Sequence, residues 1–305
     1  HGTTTMHRIE GTGVIPPAEG APGGTCIIAG MTSALSFLDV GGRRLAYVEE
    51  GPPESPAVLF LHGWASSSRM WRSTQRALRH AFHTVAFDLP GHGASDKPEW
   101  EWYTITHFAD VVRQASRALG LGKAALVGHS MGGTIALEMA AEPDGDVERL
   151  VLVNPVVSGQ VGQLARPIRP SWMRPVVGVS RRLWPVAARV LTRPPAGVRS
   201  RLPDHVLRNG EDLAQTTADS ALGSIRAVLD WDVRQRLDAI QAPTLVVIGD
   251  GDRTVPPRQG LLAGEGIRGA QIVRLRAGHH PSDETPDAFH AALCSFLAPM
   301  LHLRA

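Results

Sequence analysis

Cysteine is scarce in this sequence, and so are long apolar runs. Cys26 and Cys294 are the only two cysteines in 305 residues, and their spacing matches no zinc motif. Two free thiols in a reducing compartment fit that number better than a disulfide framework does. No apolar stretch reaches the length that a membrane span needs, and the first residues lack the basic and then apolar pattern of a signal peptide. We therefore expect a cytoplasmic protein without a membrane span.

Lysine is nearly absent, and the two signs of charge almost balance. The 31 basic residues are arginines except for Lys97 and Lys123, and 29 acidic residues bring the formal net charge to +2. Such a small charge gives no global field for nucleic acid, so we expect no nucleic-acid partner. The glycines near Gly128 lack the GxGxxG spacing of a dinucleotide site, and no metal cluster or phosphate loop is present. The sequence implies no cofactor and no metal, and it leaves the oligomeric state open.

Three regions differ in composition. Residues 1–30 are rich in glycine and proline with little periodicity, which predicts an irregular extension. Residues 31–155 and 243–305 alternate apolar strands with helical patterns, which predicts a mostly parallel, doubly wound α/β sheet covered on both faces. Residues 156–242 hold no clear strand, many prolines, and thirteen arginines against seven acidic residues. A structureless loop of that length is improbable, so we expect an inserted helical cap there.

The pentapeptide Gly128-His-Ser130-Met-Gly132 follows an apolar strand pattern and precedes a helical one. This is a G-x-S-x-G sequence in the strand–turn–helix context that a nucleophile elbow requires. The turn lifts the hydroxyl above the sheet edge and places it at a helix N-terminus, where the dipole favours developing negative charge. The pattern predicts that Ser130 is a nucleophile.

A serine nucleophile needs a base, and the base needs an orienting acid. With an elbow of this kind the chain order is Ser, then Asp or Glu, then His. Asp250 and Asp252 follow a late apolar strand, and His279 and His280 follow the next one. Asp250 comes directly after Gly249, which favours a turn-capping role for its carboxylate. The residues by themselves leave both pairs open.

Four ordered motifs resemble those of the α/β-hydrolase superfamily, in the branch of serine esterases, lactonases, perhydrolases and carbon–carbon bond hydrolases. Within the stretch from Phe37 to Leu297 they read Leu61-His-Gly-Trp64, Asp88-Leu-Pro-Gly-His-Gly-Ala-Ser95, Gly249-Asp-Gly-Asp-Arg-Thr-Val-Pro256 and Gly278-His-His-Pro281. The resemblance implies a catalytic triad of Ser130, Asp252 and His279. It also implies an oxyanion hole formed by the backbone N–H groups of Trp64 and Met131.

The implied activity is hydrolysis of a carboxylic ester or lactone through an acyl-enzyme, without a cofactor. Relatives that open epoxides or remove halide carry aspartate at the elbow, so both activities are disfavoured. Two alternatives stay open: carbon–carbon bond hydrolysis by the same triad, and a non-hydrolytic binding protein or cyclase on the same scaffold. We expect the small-molecule substrate to occupy a pocket that includes Trp64, Trp172 and Trp184.

Overall fold

A single sheet organises the computed structural model, which describes residues 6–7, 34–142, 146–159, 179–184, 186, 188 and 196–302. Its strands in chain order, β1 to β9, are Met6–His7, Leu35–Val40, Arg43–Glu50, Ala57–Leu61, His83–Phe87, Ala124–His129, Val147–Val153, Thr244–Gly249 and Gln271–Leu275. They lie side by side in the order β1-β9-β8-β7-β6-β4-β5-β3-β2. From β1 to β5 in that order all neighbours are parallel, and β3 joins β5 and β2 in antiparallel pairs. The sheet is therefore mostly parallel, as predicted.

Each end of the sheet has its own feature. At one end β2 and β3 form a hairpin that turns at Gly41 and Gly42, both with positive φ. At the other end Met6–His7, inside the extension expected to be irregular, pairs in parallel with β9. Residues 8–33, including Cys26, lie outside the described residues, whereas Cys294 is a free and exposed thiol.

Helices cover both faces of the sheet because its central strands are apolar on both faces. The longer helices, α1 to α7, are Arg72–Leu78, Ile105–Ala118, Met131–Ala140, Asp204–Ala214, Ala218–Leu229, Arg258–Gly266 and Pro286–Leu297. Leu59 and Leu61 of β4 join an apolar cluster with α2, α3 and α6. Val58 and Phe60 of the same strand join a second cluster with α1 and α7. This alternation is the period of two that a strand imposes on its side chains.

Between β7 and β8 the described part of residues 156–242 is helical and adds no strand to the sheet. Helix α5 packs closely on the core, since a Cβ at Gly223 would lie 2.5 Å from Tyr103 Cδ2. Arg226 of α5 donates to the carbonyls of Trp100 and Tyr103 at 3.2 and 3.0 Å. We call residues 156–242 the cap. Across the described residues, no helix combines the length and apolarity needed to cross a bilayer.

Candidate active site

Ser130 lies between β6 and α3, at the carboxyl edge of the sheet. Its φ of 51° and ψ of −116° fall outside the regions that residues with a side chain usually adopt. Two backbone hydrogen bonds hold this turn: the Ser130 N–H donates to Val153 O at 2.9 Å, and the Thr134 N–H donates to Ser130 O at 3.1 Å. The serine therefore stands directly before the first N–H groups of α3, which carry partial positive charge.

Glycines around the elbow allow backbones to meet where a side chain would collide. A Cβ at Gly128 would lie 2.3 Å from Gly132 O, and a Cβ at Gly132 would lie 2.3 Å from Leu61 O. A Cβ at Gly63 would lie 3.3 Å from Ser130 Cβ, so the loop after β4 runs beside the serine. These contacts explain why the G-x-S-x-G and His-Gly sequences occur together.

The structure brings Asp252 and His279 together. Asp252 Oδ2 lies 2.7 Å from His279 Nδ1, and the aspartate is only 6% exposed. Its other oxygen accepts the backbone N–H groups of Thr254 and Val255 at 2.8 and 2.9 Å. The carboxylate is therefore fixed from both sides, and its contact fixes the orientation of the imidazole.

The two competing candidates point elsewhere. Asp250 is exposed and accepts a hydrogen bond from Arg274 Nε at 2.7 Å, instead of capping the turn as expected. His280 turns toward the cap, where its Nε2 lies 3.0 Å from Nδ2 of Asn209 on α4. Burial is the main reason that the pKa of His280 is lowered to about 4, and the neighbouring His279 adds to this effect.

His62 fixes the peptide that joins Gly63 to Trp64. Its Nε2 accepts the Leu89 N–H at 2.9 Å, so the proton of this neutral ring must lie on Nδ1. Nδ1 then donates to Gly63 O at 2.7 Å. Because a peptide is planar, holding this carbonyl also sets the direction of the Trp64 N–H, the expected oxyanion donor. Burial lowers the pKa of His62 to about 4, which keeps the ring neutral.

His129 connects the elbow to the loop that carries His279. It is buried, and its Nε2 donates to His279 O at 2.7 Å, with the two rings 4.6 Å apart. Burial lowers its pKa well below the usual value, and the nearby His279 and His280 lower it further. The ring is thus a neutral donor that ties the residue before Ser130 to the expected base.

Helix α4 of the cap contacts both sides of the site. Arg208 donates to both carboxylate oxygens of Asp283 at 2.7 and 3.1 Å, just beyond the expected base. One turn later, the fully buried Asp212 accepts from Ser67 Oγ at 2.9 Å and from Arg69 Nη1 at 3.1 Å, just beyond Trp64. Burial raises the pKa of Asp212, although Ser67 and Arg69 oppose that change. The spacing of four residues is visible in the sequence, but partners 75 and 145 residues away are not.

The expected pocket residues and oxyanion donors have different surroundings. Trp64 is 39% exposed, and its indole donates to Ala221 O on α5 at 2.7 Å, which holds the ring against the cap. Trp184 donates to Thr216 O at 3.0 Å. Met131 is buried at the start of α3. Trp172 lies outside the described residues.

In the part of the chain that the structure describes, no three His, Cys, Asp or Glu residues are grouped so that they could hold a metal ion. Around Ser130 lie two buried histidines, His62 and His129, and the hydrogen-bonded pair of Asp252 and His279. In general, an imidazole held by a carboxylate can act as a base, and backbone N–H groups at the start of a helix can donate to an oxyanion.

Comparison with known proteins shows similarity in sequence and fold along most of the chain. A protein from Mycobacterium tuberculosis with no described function is 30% identical over 280 residues, covering 84% of this chain and 78% of that protein. The crystal structure of a Pseudomonas aeruginosa hydrolase, 30% identical, superposes with a TM-score of 0.74 and covers 88% of this chain and 99% of its own. That of an enol-lactonase from Burkholderia xenovorans, 25% identical, gives a TM-score of 0.71 and covers 86% and 100%.

The family model for the alpha/beta hydrolase fold matches residues 56–286, which include all four sequence motifs. The predicted fold class and the resemblance to this superfamily are both confirmed. The chain belongs to the α/β-hydrolase family.

Proposed function

We propose that this protein hydrolyses a carboxylic ester or lactone through an acyl-enzyme on Ser130. One observation carries the proposal: a serine in a strained backbone conformation precedes α3 on the sheet edge where Asp252 Oδ2 lies 2.7 Å from His279 Nδ1. The likeness to an enol-lactonase supports this substrate class, because lactones and esters are cleaved by the same acyl transfer.

In the first step His279 acts as the general base. Its Nδ1–H donates to Asp252, so the lone pair of the neutral ring lies on Nε2. Nε2 accepts the hydroxyl proton while the Ser130 oxygen attacks the substrate carbonyl. Asp252 holds the ring in this tautomer and stabilises the imidazolium that forms. The backbone N–H groups of Trp64 and Met131 donate to the oxygen that becomes negative.

The imidazolium then returns its proton to the leaving alkoxide, and the tetrahedral intermediate collapses to an ester on Ser130. A water molecule, deprotonated by the same histidine, attacks this ester and releases the acid. His279 thus serves as base and acid in turn, and the enzyme returns to its starting state. Every step uses groups of this chain and water alone.

Labelling with a fluorophosphonate probe, followed by a panel of p-nitrophenyl esters of graded chain length, tests the proposal. We expect Ser130 to be labelled, and we expect Ser130→Ala to lower kcat/KM by at least about a thousandfold while the protein stays folded. Ser116→Ala, at a buried serine of α2, is the matched control and should keep both labelling and activity. A folded protein that is neither labelled nor active would contradict the proposal and favour a non-hydrolytic binding protein or cyclase on this scaffold.

A further inference from the structure

Asn154 occupies the position directly after β7, between the strand that carries Ser130 and the strand that leads to Asp252. Its φ of 44° lies in the left-handed region, where asparagine is more easily accommodated than most residues. The residue is 3% exposed, and its N–H donates to Val247 O at 2.9 Å. A buried polar side chain in this conformation needs partners for its amide.

The amide of Asn154 joins the loops of the expected acid and base. Its Oδ1 accepts the Gly249 N–H at 2.8 Å, at the start of the loop that carries Asp252. Its Nδ2 donates to Gly278 O at 3.1 Å and to His279 O at 3.2 Å. A backbone N–H can only donate and a carbonyl can only accept, so the amide has a single satisfactory orientation.

The two loops also touch directly, but the contacts described here involve residues that precede His279 in the chain. A Cβ at Gly249 would meet Gly278 O at 2.1 Å, and the Gly251 N–H donates to Ala277 O at 2.9 Å. At His279 itself, the carbonyl oxygen accepts two side-chain donors, Asn154 Nδ2 and His129 Nε2. These two donors fix the backbone from which the imidazole extends toward Asp252.

We propose that Asn154 is a positioning residue for the hydrolytic reaction: its amide sets the His279 backbone relative to the Asp252 loop, so that the imidazole is correctly placed. This inference rests on the proposed function. Asn154 touches no reacting atom and acts only through the two loops. A displacement of about 1 Å in a catalytic group can cost about a hundredfold in rate, so a residue of this kind affects turnover more than binding.

Asn154→Asp is the sharpest test because aspartate keeps the shape and the acceptor for Gly249. The variant loses the two N–H groups of the amide and turns an oxygen toward the carbonyls of Gly278 and His279. We expect kcat for a p-nitrophenyl ester to fall by about a hundredfold while KM stays within about twofold. We also expect the downfield proton resonance of the hydrogen-bonded His279 Nδ1–H, identified by its absence in His279→Gln, to broaden or disappear.

Gln259→Glu is the matched control. Gln259 is another fully buried amide, and its Oε1 accepts the N–H groups of Val157 and Ser158 at 2.9 and 3.0 Å, neither of which belongs to the loop of Asp252 or to that of His279. We expect both variants to lower the melting temperature, but Gln259→Glu should leave kcat and the downfield resonance unchanged. A lowered melting temperature with normal kcat and resonance in Asn154→Asp would show a merely structural role and overturn the proposal.

Failure of the variant to fold and failure of the proposed function can each be distinguished from failure of the positioning role. If Asn154→Asp does not fold, Asn154→Gly removes the same donors while tolerating the left-handed backbone, and the same results are expected of it. If the wild-type protein neither hydrolyses esters nor reacts with the fluorophosphonate, the proposed function fails. The resonance alone then tests the positioning of His279. If the Asn154→Asp spectrum keeps the wild-type signal, the proposed positioning role is wrong.

Discussion

At the scale of single residues, Asp250 and Asp252 show how two neighbouring carboxylates come to differ. Asp252 is buried, accepts two backbone N–H groups and contacts His279. Asp250 is 44% exposed at its side chain and pairs with Arg274, whose side chain is 43% exposed. An exposed ion pair of this kind contributes little to stability and nothing to the orientation of an imidazole.

We therefore expect opposite results from two conservative substitutions. Asp252→Asn should lower kcat/KM by about ten thousandfold, because the amide favours the wrong imidazole tautomer and no longer stabilises the imidazolium. Asp250→Asn should leave kcat/KM close to the wild-type value. Steady-state kinetics on one p-nitrophenyl ester, with circular dichroism to confirm folding, measures both.

The adjacent histidines provide the second half of the same experiment. His279→Ala should abolish activity. His280→Ala should lower kcat/KM by about tenfold or less, since the ring of His280 faces Asn209 of the cap. If Asp250→Asn is inactive while Asp252→Asn stays active, Asp250 is the acid of the site. The same comparison of His280→Ala with His279→Ala identifies the base.

Sequence patterns alone predicted that these residues follow two late strands, but they did not predict the partners of their side chains. The resemblance of the motifs favoured Asp252 and His279 over their neighbours. In the structure Asp252, and not Asp250, contacts His279. Nothing local in the sequence indicates that Asn154 reaches a carbonyl 125 residues away. Its signal, a polar residue at the end of an apolar strand, is also typical of an ordinary turn. Hydrogen bonds between distant segments depend on the packing of whole elements.

At the scale of elements, α4 contacts two segments of the site: the one after Trp64, through Ser67 and Arg69, and the one after His279, through Asp283. Arg208 and Asp283 have side chains only 17% and 16% exposed, so their two-pronged contact is shielded from water. A shielded, bidentate pair is stronger than an exposed one, and losing one partner leaves the other charge poorly solvated. The contact should therefore stabilise the attachment of the cap to the loop that carries His279.

A double-mutant cycle with Arg208→Met and Asp283→Asn measures this contact. We expect a coupling free energy of unfolding of about 1–2 kcal/mol, within the range of about 0.5–3 kcal/mol for residues in direct contact. The pair Arg274 and Asp250 is the exposed control and should give a clearly smaller coupling. Equal coupling in the two cycles would mean that α4 is not held by its shielded ion pair.

At the scale of the whole molecule, the fold was more predictable than its interior polar contacts. Apolar runs such as Ala57–Leu61 are buried on both faces, and this pattern is sufficient to predict a parallel sheet between two helical layers. The hairpin of β2 and β3 was predictable from two glycines between alternating patterns. The arrangement of the cap was not predictable, because a sequence rich in proline and arginine has no apolar periodicity that indicates which element each segment packs against.

The fold keeps neutral the buried histidines His62, His92 and His129 and the partly buried His280. Burial lowers the pKa of His62 and His280 to about 4 and that of His92 to about 3, and the pKa of His129 also lies well below its usual value. In the unfolded chain each would titrate near its ordinary pKa of about 6.5. Between these values the unfolded chain binds protons that the folded protein cannot bind, so acid favours unfolding.

We therefore expect the free energy of unfolding to be fully retained above about pH 6.5 and to fall as the pH decreases toward 4, by about 1.4 kcal/mol per pH unit for each such histidine. Urea unfolding at pH 7, 6 and 5 measures this slope. His92→Asn removes one of these groups while its amide can donate to Pro90 O, as the ring of His92 does. The slope of the variant should be smaller by about one histidine's share, 1.4 kcal/mol per pH unit. An unchanged slope would mean that His92 binds protons equally in the folded and the unfolded protein, so that its burial does not control acid stability.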